Sequence, residues 1–161
     1  MTYFKLERLA GKLKSRIDEE WKKIEYLDVI KKKDEFDDWP EFDGDDYFTQ
    51  LQFYKECMDN LNVCFNILHL ADEKISSTAI LLNTEREKLQ NLEKVVDNTR
   101  NRLKITKDEY GVRFDYTKLI ELYEKQRQLV GELDESLFSL KISTNVEVPE
   151  DLDIFLSRYA N

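Results

Sequence analysis

Glycine and proline are scarce in this 161-residue chain, four of one and two of the other, and no proline falls between Pro40 and Pro149. A sandwich, barrel or doubly wound sheet needs a turn signal about every ten residues. Those folds are excluded, and long helices are the economical alternative. Histidine occurs once and cysteine twice. That inventory holds no Cys-x-x-Cys pair, no Glu-x-x-His pairs for a di-iron bundle, no glycine-rich phosphate loop and no nucleophile elbow. His69, between Leu68 and Leu70, reads as a solvated or seam-edge imidazole. The chain is expected to be non-catalytic, with no cofactor and no metal.

Also missing is any run near the eighteen or so apolar residues of a membrane span, and the lysine-bearing start lacks the apolar core and cleavage site of a signal peptide. An intracellular protein is expected. Cys57 and Cys64 suit that compartment. Seven residues apart on one helix, they are separated by roughly 10 Å, too far for an intrachain bridge. They read as buried free thiols or, alternatively, as a disulfide across a helix dimer.

Charge, by contrast, is abundant at 37% of residues, with a net charge of -9. Such a balance argues against a surface of its own that grips a phosphate backbone. The excess is local: residues 34–72 hold one base and eleven acids, against ten and six in 1–33. The only basic run within the body is Arg100, Arg102, Lys104, Lys107 and Arg113. Its members do not share a helical face and stand among Asp97, Asp108 and Glu109, so nucleic acid is expected only through a larger assembly.

Apolar spacing divides the chain into four parts. In 1–33, Leu6, Leu9, Leu13, Ile17, Trp21, Ile24, Leu27 and Ile30 advance by threes and fours, the stripe of an N-terminal amphipathic helix. Lysines 5, 12, 14, 22 and 23 flank it, which also fits a membrane-surface helix, although Glu19, Glu20 and Glu25 count against that. Residues 34–46 form an acidic aromatic linker. There Phe36, Trp39 and Phe42 stand among eight acids, either as a recognition motif for a basic partner or as rings packing back on the flanking helices. A calcium loop is rejected, because from Glu41 the sixth and twelfth positions hold Asp46 and Gln52 rather than glycine and glutamate.

The strongest pattern lies in 47–140. Tyr54, Leu61, Leu68, Ile75, Leu82, Leu89, Val96, Leu103 and Tyr110 each stand seven from the last, a sustained heptad that predicts a coiled-coil interaction seam. Companion positions fall three before these residues up to Phe65 (Leu51, Met58, Phe65) and three after them from Leu89 (Leu92, Thr99, Thr106). The seam therefore swaps sides between about Asp72 and Arg86, which rewinds the supercoil or changes the helix being faced. Gly111 marks a helix end or hinge, Asp115 a cap for a new helix, and Tyr116, Leu119, Tyr123, Val130, Leu133, Leu137 and Leu140 continue a stripe. In the tail, 141–161, Thr144 to Val148 alternates like an extended segment. Pro149 with two acids then opens a short helix that Leu152, Phe155 and Tyr159 would dock.

The expected fold is all-α: an elongated coiled coil or helical hairpin with long helices, a short acidic linker and a short C-terminal helix. A long helix alone buries little, so the chain is expected to oligomerise, and the changing seam favours a hetero-oligomer with other coiled-coil subunits.

Two stretches carry a family resemblance. YKECMDNLNVCF, with Tyr54, Met58, Leu61 and Cys64, and LKITKDEYGVRFDYTKLIELY, with Leu103, Arg113, Tyr116, Leu119 and Leu122, resemble the THO complex subunit 7 family of coiled-coil proteins. The spacing between them is shorter than in that family, and its glycine-aspartate-rich start is missing. The resemblance implies a nuclear scaffold subunit that couples transcription to mRNA packaging and export, pairing along its length with a similar coiled-coil subunit. A cytoskeletal or kinetochore scaffold, or a vesicle tether, shares every physical feature read from the residues.

Overall fold

The computed structural model describes residues 1–28, 44–105 and 115–160. The linker aromatics Phe36, Trp39 and Phe42, the last seam residue Tyr110, and Gly111 and Arg113 lie outside the described residues. The fold is all-α, with helices α1 (Tyr3–Asp28), α2 (Gly44–Ala71), α3 (Glu73–Ile105), α4 (Tyr116–Ser143) and α5 (Glu150–Tyr159). The chain divides into two compact units, Met1–Ala71 with Thr144–Asn161, and Asp72–Ser143.

In the first unit, α1 buries Leu6, Leu9, Leu13 and Ile17 against Cys57, Leu61, Cys64 and Leu68 of α2, and Ile24 continues the buried stripe. Trp21, late in α1, stacks on Tyr54, early in α2, with ring centroids 5.1 Å apart. The Arg16 and Glu20 charges reach Cys57, so the two helices run antiparallel. Trp21 departs from the expected stripe: it is 42% exposed, and its Nε1 donates to Glu25 Oε1 at 2.7 Å. An indole carries a polar edge, and here that edge stays at the surface while the ring covers Tyr54. Thr2 Oγ1 accepts the Lys5 N–H at 3.3 Å at the start of α1.

The tail completes this core. Residues 144–146 pair with the chain start through an antiparallel bridge between Thr2 and Asn145. Tyr3 N–H donates to the Thr144 carbonyl and Val146 N–H to that of Met1, both at 2.8 Å. Beyond Pro149, three acids occupy the first turn of α5, where they meet the positive end of the helix dipole. Leu152, Phe155 and Leu156 are buried, and Tyr159 packs edge-on against Phe53 at 5.0 Å.

The second unit begins where α2 stops. Asp72 interrupts the helix, and its Oδ1 accepts the Lys74 N–H at 2.8 Å, a side-chain cap that opens α3. Asp115 does the same for α4, accepting the Thr117 N–H at 3.0 Å. The connection 106–115 spans about 33 Å at full stretch. That is shorter than the roughly 50 Å rise of a helix the length of α3, so α4 returns antiparallel along α3. Where spacing alone ran one segment from 47 to 140, the structure makes two helix pairs that meet in sequence at Asp72.

Candidate protein-interaction surface

Positions of the heptad decide what each side of the α3–α4 pair presents. Ile75, Leu82 and Val96 of α3 are buried, as are Val130 and Leu137 of α4. Leu89, Leu92, Thr99 and Leu103, with Tyr116, Leu119, Tyr123, Leu133 and Leu140, are partly buried. These residues form the seam.

Within the seam sits a polar group. Glu85, only 8% exposed, accepts Gln126 Nε2 on its carboxylate at 2.7 Å and on its backbone carbonyl at 3.0 Å. Lys88 Nζ lies 2.6 Å from its other oxygen. These partners, Lys88 first and then Gln126, hold the Glu85 carboxyl below its ordinary range. A satisfied polar layer in an otherwise apolar seam discriminates against slipped registers, because a slip removes the Gln126 donor of α4 and leaves the carboxylate only Lys88 of its own helix.

The two flanks of the seam differ in chemistry. Arg86 and Asp134, each one residue after a seam residue, form a two-pronged ion pair at 2.7 Å. Matching positions of the two helices therefore share a side, as antiparallel pairing requires. On the other flank lie the residues one before each seam residue: Leu81 and Val95 of α3, Leu122 and Leu129 of α4. All four are between 40% and 57% exposed. Because α4 descends as α3 climbs, with Gln126 level with the turn after Glu85, these side chains follow in the order Leu81, Leu129, Leu122 and Val95 along the seam as one apolar stripe.

The predicted seam residues fall into two groups. Tyr54, Leu61 and Leu68 turn toward α1, while Ile75, Leu82, Leu89, Val96 and Leu103 lie in the α3–α4 seam. These residues pack on the chain's own helices, Leu61, Leu68, Ile75, Leu82 and Val96 buried and Tyr54, Leu89 and Leu103 half-buried, because each long helix folds back on a neighbour. The stripe at Leu81, Val95, Leu122 and Leu129 was not singled out by spacing. Its signal was the doublets Leu81-Leu82, Val95-Val96, Leu122-Tyr123 and Leu129-Val130, which widen the apolar face beyond one seam. Glu85 and Gln126 were legible only as polar residues at seam positions.

Other features carry less. Cys57 and Cys64 are fully buried free thiols, pushed up to about 11 chiefly by burial, and thus poor nucleophiles and ligands. His69, Arg100 and Arg102 are exposed. Among the described residues no group of three His, Cys, Asp or Glu side chains is arranged to hold a metal ion, and no helix is long and apolar enough to cross a membrane. A shallow polar depression lies between α1 and α5, lined by Lys12, Ser15, Arg16, Glu19, Tyr159 and Ala160. No protein-family model matches the chain, and no curated protein or solved structure is significantly similar to it.

Proposed function

We propose that this chain is a non-catalytic scaffold subunit of a multiprotein complex, a THO-type assembly that works in mRNA packaging and nuclear export. The observation that carries the scaffold reading is the apolar stripe of Leu81, Val95, Leu122 and Leu129, left exposed on a helix pair whose seam is already filled. Exposed aliphatics aligned along a packed helix pair are the makings of a helix-binding surface. The THO assignment rests on the resemblance of the two stretches described above. Within them, Tyr54, Met58, Leu61 and Cys64 belong to the α1–α2 core, and Tyr116, Leu119 and Leu122 to α4. The partners are other helical subunits in a hetero-oligomer, nucleic acid is met only through the complex, and the location is the nucleus.

Affinity capture with the full chain, followed by mass spectrometry and by localisation of a tagged copy, tests this reading. Recovery of RNA-packaging proteins from nuclear extract is expected, with recovery reduced by Leu122→Ser/Leu129→Ser. Recovery of tubulin-associated or vesicle-tethering proteins in their place would overturn the THO assignment.

A further inference from the structure

We infer that the Leu81, Leu129, Leu122 and Val95 flank of the α3–α4 hairpin docks an acidic amphipathic helix from a different protein, completing a three-helix bundle. The inference rests on the scaffold reading for there being a protein partner, and it adds the chemistry of that partner and its place on the hairpin.

Shape is the first ground. The four side chains stand on both sides of the seam, two from each helix, and so border a groove rather than a single ridge. From Leu81 to Val95 the stripe extends about 21 Å along α3, the length of four helical turns. A third helix with apolar residues every third and fourth position fits such a groove. A planar lipid surface does not enter it, and among the described residues no aromatic ring stands on this flank to anchor one.

Charge is the second ground, and it selects the partner. Lys88 shares the flank with Leu81 and Val95, a heptad from each, with its ammonium already paired to Glu85, so the selecting charge comes chiefly from α4. Lys118 and Lys125 stand three or four residues from Leu122 and Leu129 on α4, where helical neighbours touch. All three lysines are exposed. Lys74 and Arg102 continue the α3 flank a heptad beyond Leu81 and Val95, Thr84 and Asn91 border it as neutral residues, and the acids at the α4 border are Glu132 and Asp115, the latter a heptad before Leu122. The remaining acids of the hairpin, among them Glu93, Glu121 and Glu124, fall on other faces. An apolar stripe edged by lysine favours a partner helix edged by glutamate or aspartate, as flanking charges do in paired helices. A second copy of this chain would set lysine against lysine.

The test uses the full chain and two synthetic helical peptides with the same leucine stripe, one flanked by glutamate and one by lysine, followed by fluorescence anisotropy. The glutamate peptide is expected to bind, more tightly at low salt. Leu122→Ser/Leu129→Ser and Lys118→Glu/Lys125→Glu should each weaken it about tenfold or more. Arg86→Ser on the opposite flank should leave it unchanged, and circular dichroism should show the fold intact in all three. Equal binding of the lysine peptide, self-association abolished by Leu122→Ser/Leu129→Ser, or binding of phosphatidylserine vesicles through the same leucines would each overturn the inference. If protein capture by the full chain survives Leu122→Ser/Leu129→Ser and the glutamate peptide does not bind, this surface falls and the scaffold reading stands. If capture yields no partner while the peptide binds as described, the scaffold reading falls alone.

Discussion

Gln126 of α4 donates to both the carboxylate and the backbone carbonyl of Glu85 on α3, at 2.7 and 3.0 Å. That double contact ties one turn of α4 to one turn of α3. It makes the hairpin sensitive to acid at a known place. Lys88 and Gln126 lower the Glu85 pKa in the folded protein, so the stabilisation is complete above the unfolded carboxylate value and is lost as pH falls through the folded one. Thermal melts between neutral pH and pH about 3 should show this loss. Glu85→Gln should flatten that part of the profile; an unchanged acid limb would refute the role assigned to Glu85.

The two thiols should be silent in the folded chain. Both are buried and pushed up to about 11, so at pH about 8 almost no thiolate is present. Iodoacetamide followed by mass spectrometry should label neither Cys57 nor Cys64 until urea is added. For the same reason, stability should decline as pH rises from the unfolded thiol value toward 11.

Leucines of equal hydrophobicity should differ by position. Leu13 is fully buried and Leu70 is 82% exposed. Leu13→Ala should cost about 2–5 kcal/mol, whereas Leu70→Ala should stay within about 0.5 kcal/mol of wild type. Urea titrations of the two variants settle the comparison.

The side-chain caps that open α3 and α4 should be measurable. Asp72 and Asp115 each accept a backbone N–H two residues ahead. Replacing either by alanine should cost about 1 kcal/mol, while Asn should retain most of the effect. The readout is the urea midpoint followed by circular dichroism.

Gly131 offers a gain. It lies inside α4 with nothing within 4 Å of a Cβ built on it, and no glycine among the described residues has positive φ. Gly131→Ala should therefore stabilise the hairpin by about 0.5–1 kcal/mol through helix propensity and a less free unfolded chain. A lower melting temperature would contradict the open environment.

Much of the architecture was legible before any coordinates. Side-chain direction along a helix repeats with a period set by backbone geometry, so the spacing from Leu6 to Ile24 and from Tyr54 to Leu103 determined which faces turn inward. Asp115 announced a helix start because its short carboxylate reaches a free N–H two residues on. The expected swap of companion positions near Asp72 is corrected by the structure: Cys57 and Cys64, three after Tyr54 and Leu61, are the buried companions in α2 while Phe65 is 48% exposed, so α2 and α3 use the same companion side. Periodicity names a face, however, and carries no address. That Leu68 meets α1 while Ile75, one heptad later, lies in the α3–α4 seam was decided by chain reversal and packing in three dimensions. The same is true of the exposed stripe: Leu81 and Leu82 look alike as letters, and only the position of α4 covers one and leaves the other at the surface.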